Sequence, residues 1–155
     1  MSDGEIILSP GGHADLPDVM AVMEDSFDPR FGEAWTMGQC AGLLPLPGVW
    51  LTLARQNETV FGFALSRLVA DEAELLLLAV KTEGQRRGIG QVLLEHFEDE
   101  ATARGAARLH LEVREGNHAL GLYHRTGFEL VGRRRDYYCG QMGDRYDALT
   151  LAKSL

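Results

Sequence analysis

Apolar residues recur along this chain with two different periods, and the switches between them mark the elements. Glu5 to Leu8 is a short apolar run that predicts a first strand. Asp15, followed by Pro17 and Asp18, has the makings of a helix start: a capping side chain, a proline in the first turn and an acid behind it. Val19, Val22, Met23 and Phe27 supply the apolar stripe of that helix, and Asp28-Pro29-Arg30-Phe31-Gly32 breaks it. A weaker helical stretch covers 33–44 and ends before Pro45 and Pro47. Val49 to Arg55 and Thr59 to Val69 both alternate around a turn at Asn57, which predicts a hairpin. Ala73 to Val80 is a third consecutive strand, apolar on both sides and therefore central.

The period then changes. Ile89, Val92, Leu93, Phe97 and Ala101 recur at helical spacing, and Gly105 is placed to end the helix. In Arg108 to Arg114, Leu109, Leu111 and Val113 alternate with His110, Glu112 and Arg114, so a polar row backs an apolar one. Asn117 to Arg125 reads as a short helix stopped by Gly127. Strands at Phe128 to Tyr138 and Tyr146 to Leu151 follow. The order predicts a mixed α/β domain in which a helix connects two apolar strands.

Composition narrows the setting. The 155 residues hold no repeat or linker and are expected to form one domain, 1–155, large enough to fold without a disulfide or a metal. The longest purely apolar run, Leu75 to Val80, is far too short to span a membrane, and the acidic amino terminus lacks a signal-peptide layout. A cytoplasmic protein with no membrane partner is the expectation. A net charge of -8 argues against nucleic acid as a partner and suits a cationic substrate. Cys40 and Cys139 have no metal-ligand spacing, and no metal is expected.

The candidate chemistry begins at Gln85-Arg86-Arg87-Gly88-Ile89-Gly90, between the buried strand and the long helix. Such a corner aims free backbone N–H groups, backed by the positive end of the helix, at one point. Gly88 and Gly90 would let an anion reach the backbone, and the two arginines can add charge. Read alone, the same residues also fit a plain tight turn with a solvated arginine pair. Other phosphate loops fit worse: no Gly-Lys-Ser/Thr is present, and Leu93 stands where a dinucleotide fingerprint has its third glycine.

Gln-x-x-Gly-x-Gly after a strand ending in Ala79-Val80 resembles the coenzyme A loop of the GCN5-related N-acetyltransferases (GNAT). A second block, Leu111-Glu112-Val113-Arg114, Asn117, Ala119, Leu122-Tyr123 and Gly127-Phe128, is similar to the closing half of that family. The resemblance implies a mostly antiparallel, mixed central sheet of six to seven strands with splayed central strands and about four helices. It implies acetyl-CoA as cosubstrate. Leu78, Ala79 and Val80 would line the pantetheine arm, while Gln85, Arg86, Arg87, Gly88, Ile89, Gly90 and Gln91 would surround the phosphates. The Val80 N–H would steady the thioester oxygen. Arg133-Arg134-Arg135-Asp136-Tyr137-Tyr138 with Asp147-Ala148 resembles the RimI branch, bacterial ribosomal-protein-alanine N-acetyltransferases. A protein or peptide N-terminus is then the expected acceptor, with the enzyme a monomer or homodimer. A small-molecule amine acetyltransferase and a non-catalytic acyl-CoA sensor are the alternatives.

By that resemblance Glu112 is the general base and Tyr123 the acid that protonates the departing thiolate. Read by themselves, Glu112 is a solvated ion-pair partner and Tyr123 a core aromatic. His110, on the same polar row as Glu112, is a rival base or a proton shuttle. Tyr137 and Tyr138 either border the acceptor groove or close the core. The stretch between Asn117 and Tyr123 is one residue shorter than the family pattern, so either Asn117 still reaches the pantetheine or Gly116 takes its place.

Overall fold

A computed structural model describes residues 4–85 and 87–155. Its strands are β1 (Ile7–Gly11), β2 (Val49–Gln56), β3 (Thr59–Val69), β4 (Glu72–Val80), β5 (Arg108–Arg114), β6 (Glu129–Cys139) and β7 (Arg145–Ser154). The helices are α1 (Leu16–Ser26), α2 (Met37–Leu43), α3 (Ile89–Ala103) and α4 (Leu120–Arg125). The strands form one sheet in the order β1-β2-β3-β4-β5-β7-β6, as the expected mixed α/β architecture requires. Every pairing is antiparallel except β4 with β5, where α3 makes the crossover. Leu75, Leu109, Leu111 and Val113 meet Leu93, Leu94 and Phe97 of α3 and Tyr123 of α4 on one face. Leu53, Phe63, Leu65, Leu77 and Ala79 meet Val19, Val22 and Met23 of α1 and Cys40 of α2 on the other. Among the described residues no helix is long and apolar enough to cross a membrane.

Local chemistry sets several boundaries differently from the pattern. Asp15 stands at the N-cap of α1 but its carboxylate does not cap it. Pro17 removes one of the N–H groups a cap would accept from. Asp15 Oδ2 instead accepts from the Gly12 N–H at 2.8 Å, and Oδ1 pairs with Arg55 at 3.1 Å. The second helix starts later than the polar–apolar pattern implies, because Thr36 and Gln39 bond each other's backbone N–H in a capping box. At the first hairpin both Asn57 and Glu58 take positive φ, 50° and 70°, the backbone that a tight two-residue turn demands.

The feature that positions the site is a fault in the central sheet. Leu65 pairs with Leu77 and Ser66 with Leu75, so Leu76 is an extra residue bulged out of β4. Before the bulge Ala73 and Leu75 face α3; after it Leu77 and Ala79 face α1. Parallel pairing of β4 with β5 runs only from Glu72↔Arg108 to Leu75↔Leu111. Past that rung 76–80 and 112–114 have no ladder partners across the gap. The strands splay.

A second junction closes the far side. The segment between α1 and α2 touches the β6–β7 hairpin through the Gln141 N–H, which donates to Pro29 O at 3.0 Å, and through Phe31 edge-on to Tyr146 at 5.2 Å. Gly32 makes this approach possible: its φ is +70°, and a Cβ there would collide with the Cys139 carbonyl oxygen. Gly32→Ala should therefore cost about 2 kcal/mol in chemical denaturation. Gly42→Ala, in α2 with nothing within 4 Å of the new methyl, should gain about 0.5–1 kcal/mol. Equal effects from the two would contradict this account.

Candidate active site

The corner between β4 and α3 is built to leave backbone donors free. Gly88 occupies the N-cap of α3 in the left-handed region, φ 79°, and no side chain caps the first turn. The N–H groups that open α3 therefore lack an internal partner of that kind. A Cβ on Gly88 would meet nothing within 4 Å, which leaves the approach to this turn open. Gly90 lies at the mouth of the splay, where a Cβ would sit 3.5 Å from Leu122 and 3.8 Å from Val80. Gln85 is turned back: its Nε2 donates to the Val80 carbonyl at 3.2 Å and braces the corner against the strand. Arg87 Nη1 donates to Gln56 at 2.8 Å, and its guanidinium lies 5.8 Å from the Phe61 ring. Arg86 lies outside the described residues. Ile89 is buried in the core, so of this residue only the backbone is available to a ligand.

On the open side of the splay stands the polar row of β5. Glu112 has a side chain only 15% exposed, with Oε1 paired to Arg134 at 2.9 Å. Burial pushes its carboxyl above the ordinary carboxylate value and the charge of Glu74 adds to that. Arg134, His110 and the Tyr137 hydroxyl pull the other way. Tyr123 is 5% exposed, and its ring meets Phe128 edge-on at 6.0 Å. Burial, and then the negative charge of Glu33, drive its phenol well above the usual tyrosine value. The same causes raise Tyr138, which also feels Glu112, Tyr137 and Tyr123. Glu112, Tyr123 and Tyr138 thus share one electrostatic neighbourhood. A carboxylate with a raised pKa is a better proton acceptor, and a phenol with a raised pKa stays protonated at neutral pH. Among the described residues no group of three or more His, Cys, Asp or Glu side chains could hold a metal ion.

The match to a family model covers residues 18–128 and is described as the acetyltransferase (GNAT) family. The chain belongs to this family. Acetyltransferases of the family take their acetyl group from acetyl-CoA, and the free turn at Gly88, the mouth at Gly90 and the splayed strands fit that thioester. Among curated relatives, the [ribosomal protein bS18]-alanine N-acetyltransferase of Escherichia coli (strain K12) is 45% identical over 98 residues. That stretch is 63% of this chain and 66% of the relative, just under two thirds of its length. The crystal structure of the Escherichia coli ribosomal-protein-S18-alanine N-acetyltransferase superposes with a TM-score of 0.86 at 33% identity, over 97% of this chain and 94% of that one. A PaiA N-acetyltransferase from Thermoplasma acidophilum, solved in complex with coenzyme A, shares the fold with a TM-score of 0.78 at 18% identity, over 97% and 99%.

Within this GNAT frame Asn117 has a definite place. Its Oδ1 accepts from the Ala119 N–H at 2.8 Å, and its Nδ2 donates to Glu33 at 2.6 Å. The shortened turn therefore points the amide towards the segment between α1 and α2. Glu33 is the residue that the sequence pattern missed. It is 9% exposed, its Oε1 takes a 2.8 Å bond from Arg114 Nε, and the Arg114 guanidinium, 10% exposed, lies 3.8 Å from the Phe31 ring. Nothing local marks Glu33. The one available signal is Arg114, a charge at the end of a core strand that needs a partner from elsewhere.

Two measurements test these electrostatics. Glu33→Ala strands a buried guanidinium and should lower stability to urea by about 3 kcal/mol, with Glu33→Gln losing less. Arg134→Met removes the strongest attraction on the Glu112 carboxylate, so its pKa rises further. The acid limb of the pH–rate profile, or the carboxyl signal followed by NMR, should then move to higher pH. A shift to lower pH would contradict the pairing.

Proposed function

We propose that this protein moves the acetyl group of acetyl-CoA to the α-amino group of a protein N-terminus, with a ribosomal protein as the acceptor. The observation that carries the reading is that a half-buried carboxylate, Glu112, and a buried phenol, Tyr123, both act on Tyr138 beside the gap where β4 leaves β5. The RimI-type names of the relatives supply the acceptor class. In this reading Leu78, Ala79 and Val80 flank the pantetheine arm, the backbone of 86–91 takes the pyrophosphate, and Asn117 shapes the turn beneath it. Glu112 takes the proton of the incoming ammonium, directly or through a water. The free amine attacks the thioester carbonyl, whose oxygen is steadied by the Val80 N–H, and Tyr123 protonates the departing thiolate. Transfer is direct, without an acyl-enzyme. Tyr137 and Tyr138 border the acceptor groove. The protein acts as one domain over residues 1–155, in the cytoplasm, as a monomer or homodimer.

Peptides bearing ribosomal-protein N-termini, tested against free polyamines and amino acids with coenzyme A release as the readout, decide the acceptor. The peptides should turn over; turnover of free amines alone would sink the reading. Glu112→Gln and Tyr123→Phe should each lower kcat by about tenfold or more, while the calorimetric Kd for acetyl-CoA stays unchanged.

A further inference from the structure

An ammonium and a thioester give an amide, a thiol and one proton: R–NH3+ and CH3CO–S–CoA become R–NH–COCH3, HS–CoA and H+. Of the two protons that nitrogen loses, one restores the Tyr123 phenol after it has protonated the sulfur. The other passes to Glu112 and must reach solvent before the next turnover. A seated acceptor would cover the already small exposed part of the Glu112 side chain, so a proton that leaves before product release needs another way out.

Such a way lies along the same face of the sheet. His110 is two residues before Glu112 on β5 and stands opposite Glu74 in the parallel register with β4. His110 Nε2 is 3.7 Å from Glu74 Oε2, and Glu74 Oε1 accepts from Arg67 Nη2 of β3 at 2.8 Å. Arg67, Glu74 and His110, with Asp71 and Glu72 of the β3–β4 turn, line a cavity of about 320 Å³. The side chains of His110 and Glu74 are 29% and 22% exposed, so both reach solvent there. The charges of both also act on the Glu112 carboxyl. On the other side of β5, β7 places Ala152 opposite His110 and Thr150 opposite Glu112, neither of which titrates. From β6, Arg134 and Tyr137 engage Glu112.

We infer that His110, beside Glu74, is the relay that carries the reaction's proton from Glu112 to the cavity beside the β3–β4 turn. Imidazole is the side chain that exchanges protons near neutral pH, and Arg67 fixes the carboxylate that faces it. The inference rests on the reading of Glu112 as base. It assigns the polar row of β5 two tasks in series: abstraction at Glu112 and export at His110.

Full-length His110→Gln and Glu74→Gln variants test it, assayed with an N-terminal peptide in weakly buffered solution with and without added imidazole. His110→Gln should lose about tenfold in kcat, recover most of it as imidazole is added, and keep its acetyl-CoA Kd. Glu74→Gln should fall in the same direction by less. An unchanged kcat in His110→Gln, or a loss that imidazole does not relieve, would overturn the relay. Glu112→Gln run beside them separates the two ideas: full turnover there removes the base itself, whereas an impaired Glu112→Gln with an unrescued His110→Gln removes the relay alone.

Discussion

The rest of the structure depends on one interrupted ladder, the parallel pairing of β4 with β5 that stops at Leu75↔Leu111. A sheet strand left without a neighbour exposes main-chain groups that must find another partner. Here the bulge at Leu76 turns the end of β4 towards its antiparallel neighbour β3 and away from β5. The released edge is the place where a ligand can complete the sheet. Because only a short corner separates Val80 from the start of α3 at Ile89, the same fault brings the strand end near the donors at the start of the helix. One irregularity so serves two parts of an extended thioester.

Charge is distributed around the gap with a clear division. The α3 side offers backbone dipole and glycines; the β5 side offers a half-buried carboxylate and phenols. Both kinds of acidic group are raised chiefly by burial, which disfavours their charged forms. The opposing pull of Arg134 on Glu112 keeps the carboxylate from being driven further. Glu33 braces the β5 side. It joins Arg114 at the end of β5 and Asn117 at the entrance to α4, while its own segment lies against the β6–β7 hairpin. The segment between α1 and α2 is thereby tied to the turn that leads into α4, the helix of Tyr123.

Much of this was legible from residue order. The period change from two to 3.6 after Val80 located the corner, and Arg108–Arg114 matched the strand at both ends. Glycines at 105 and 127 marked the ends of helices, and each has a positive φ. Other features were not legible. Asp15 looked like a cap and serves a turn. The residues 33–36 looked helical and are not, because the capping box at Thr36 starts the helix later. Nor was the bond from the Arg87 guanidinium to Gln56, on a strand distant in sequence, legible.

By itself the sequence determined the elements, their order, the apolar row and polar row of β5, and the family to which the chain belongs. These are set by local periodicity and by short motifs, in which each residue's neighbours along the chain carry the information. Only the tertiary structure decided where the ladder breaks, which acid pairs with Arg114, and that His110 faces Glu74 across two strands. Those facts depend on register and burial. A side chain's charge state follows from groups far away in sequence that folding brings within a few ångströms, and no local pattern encodes that distance.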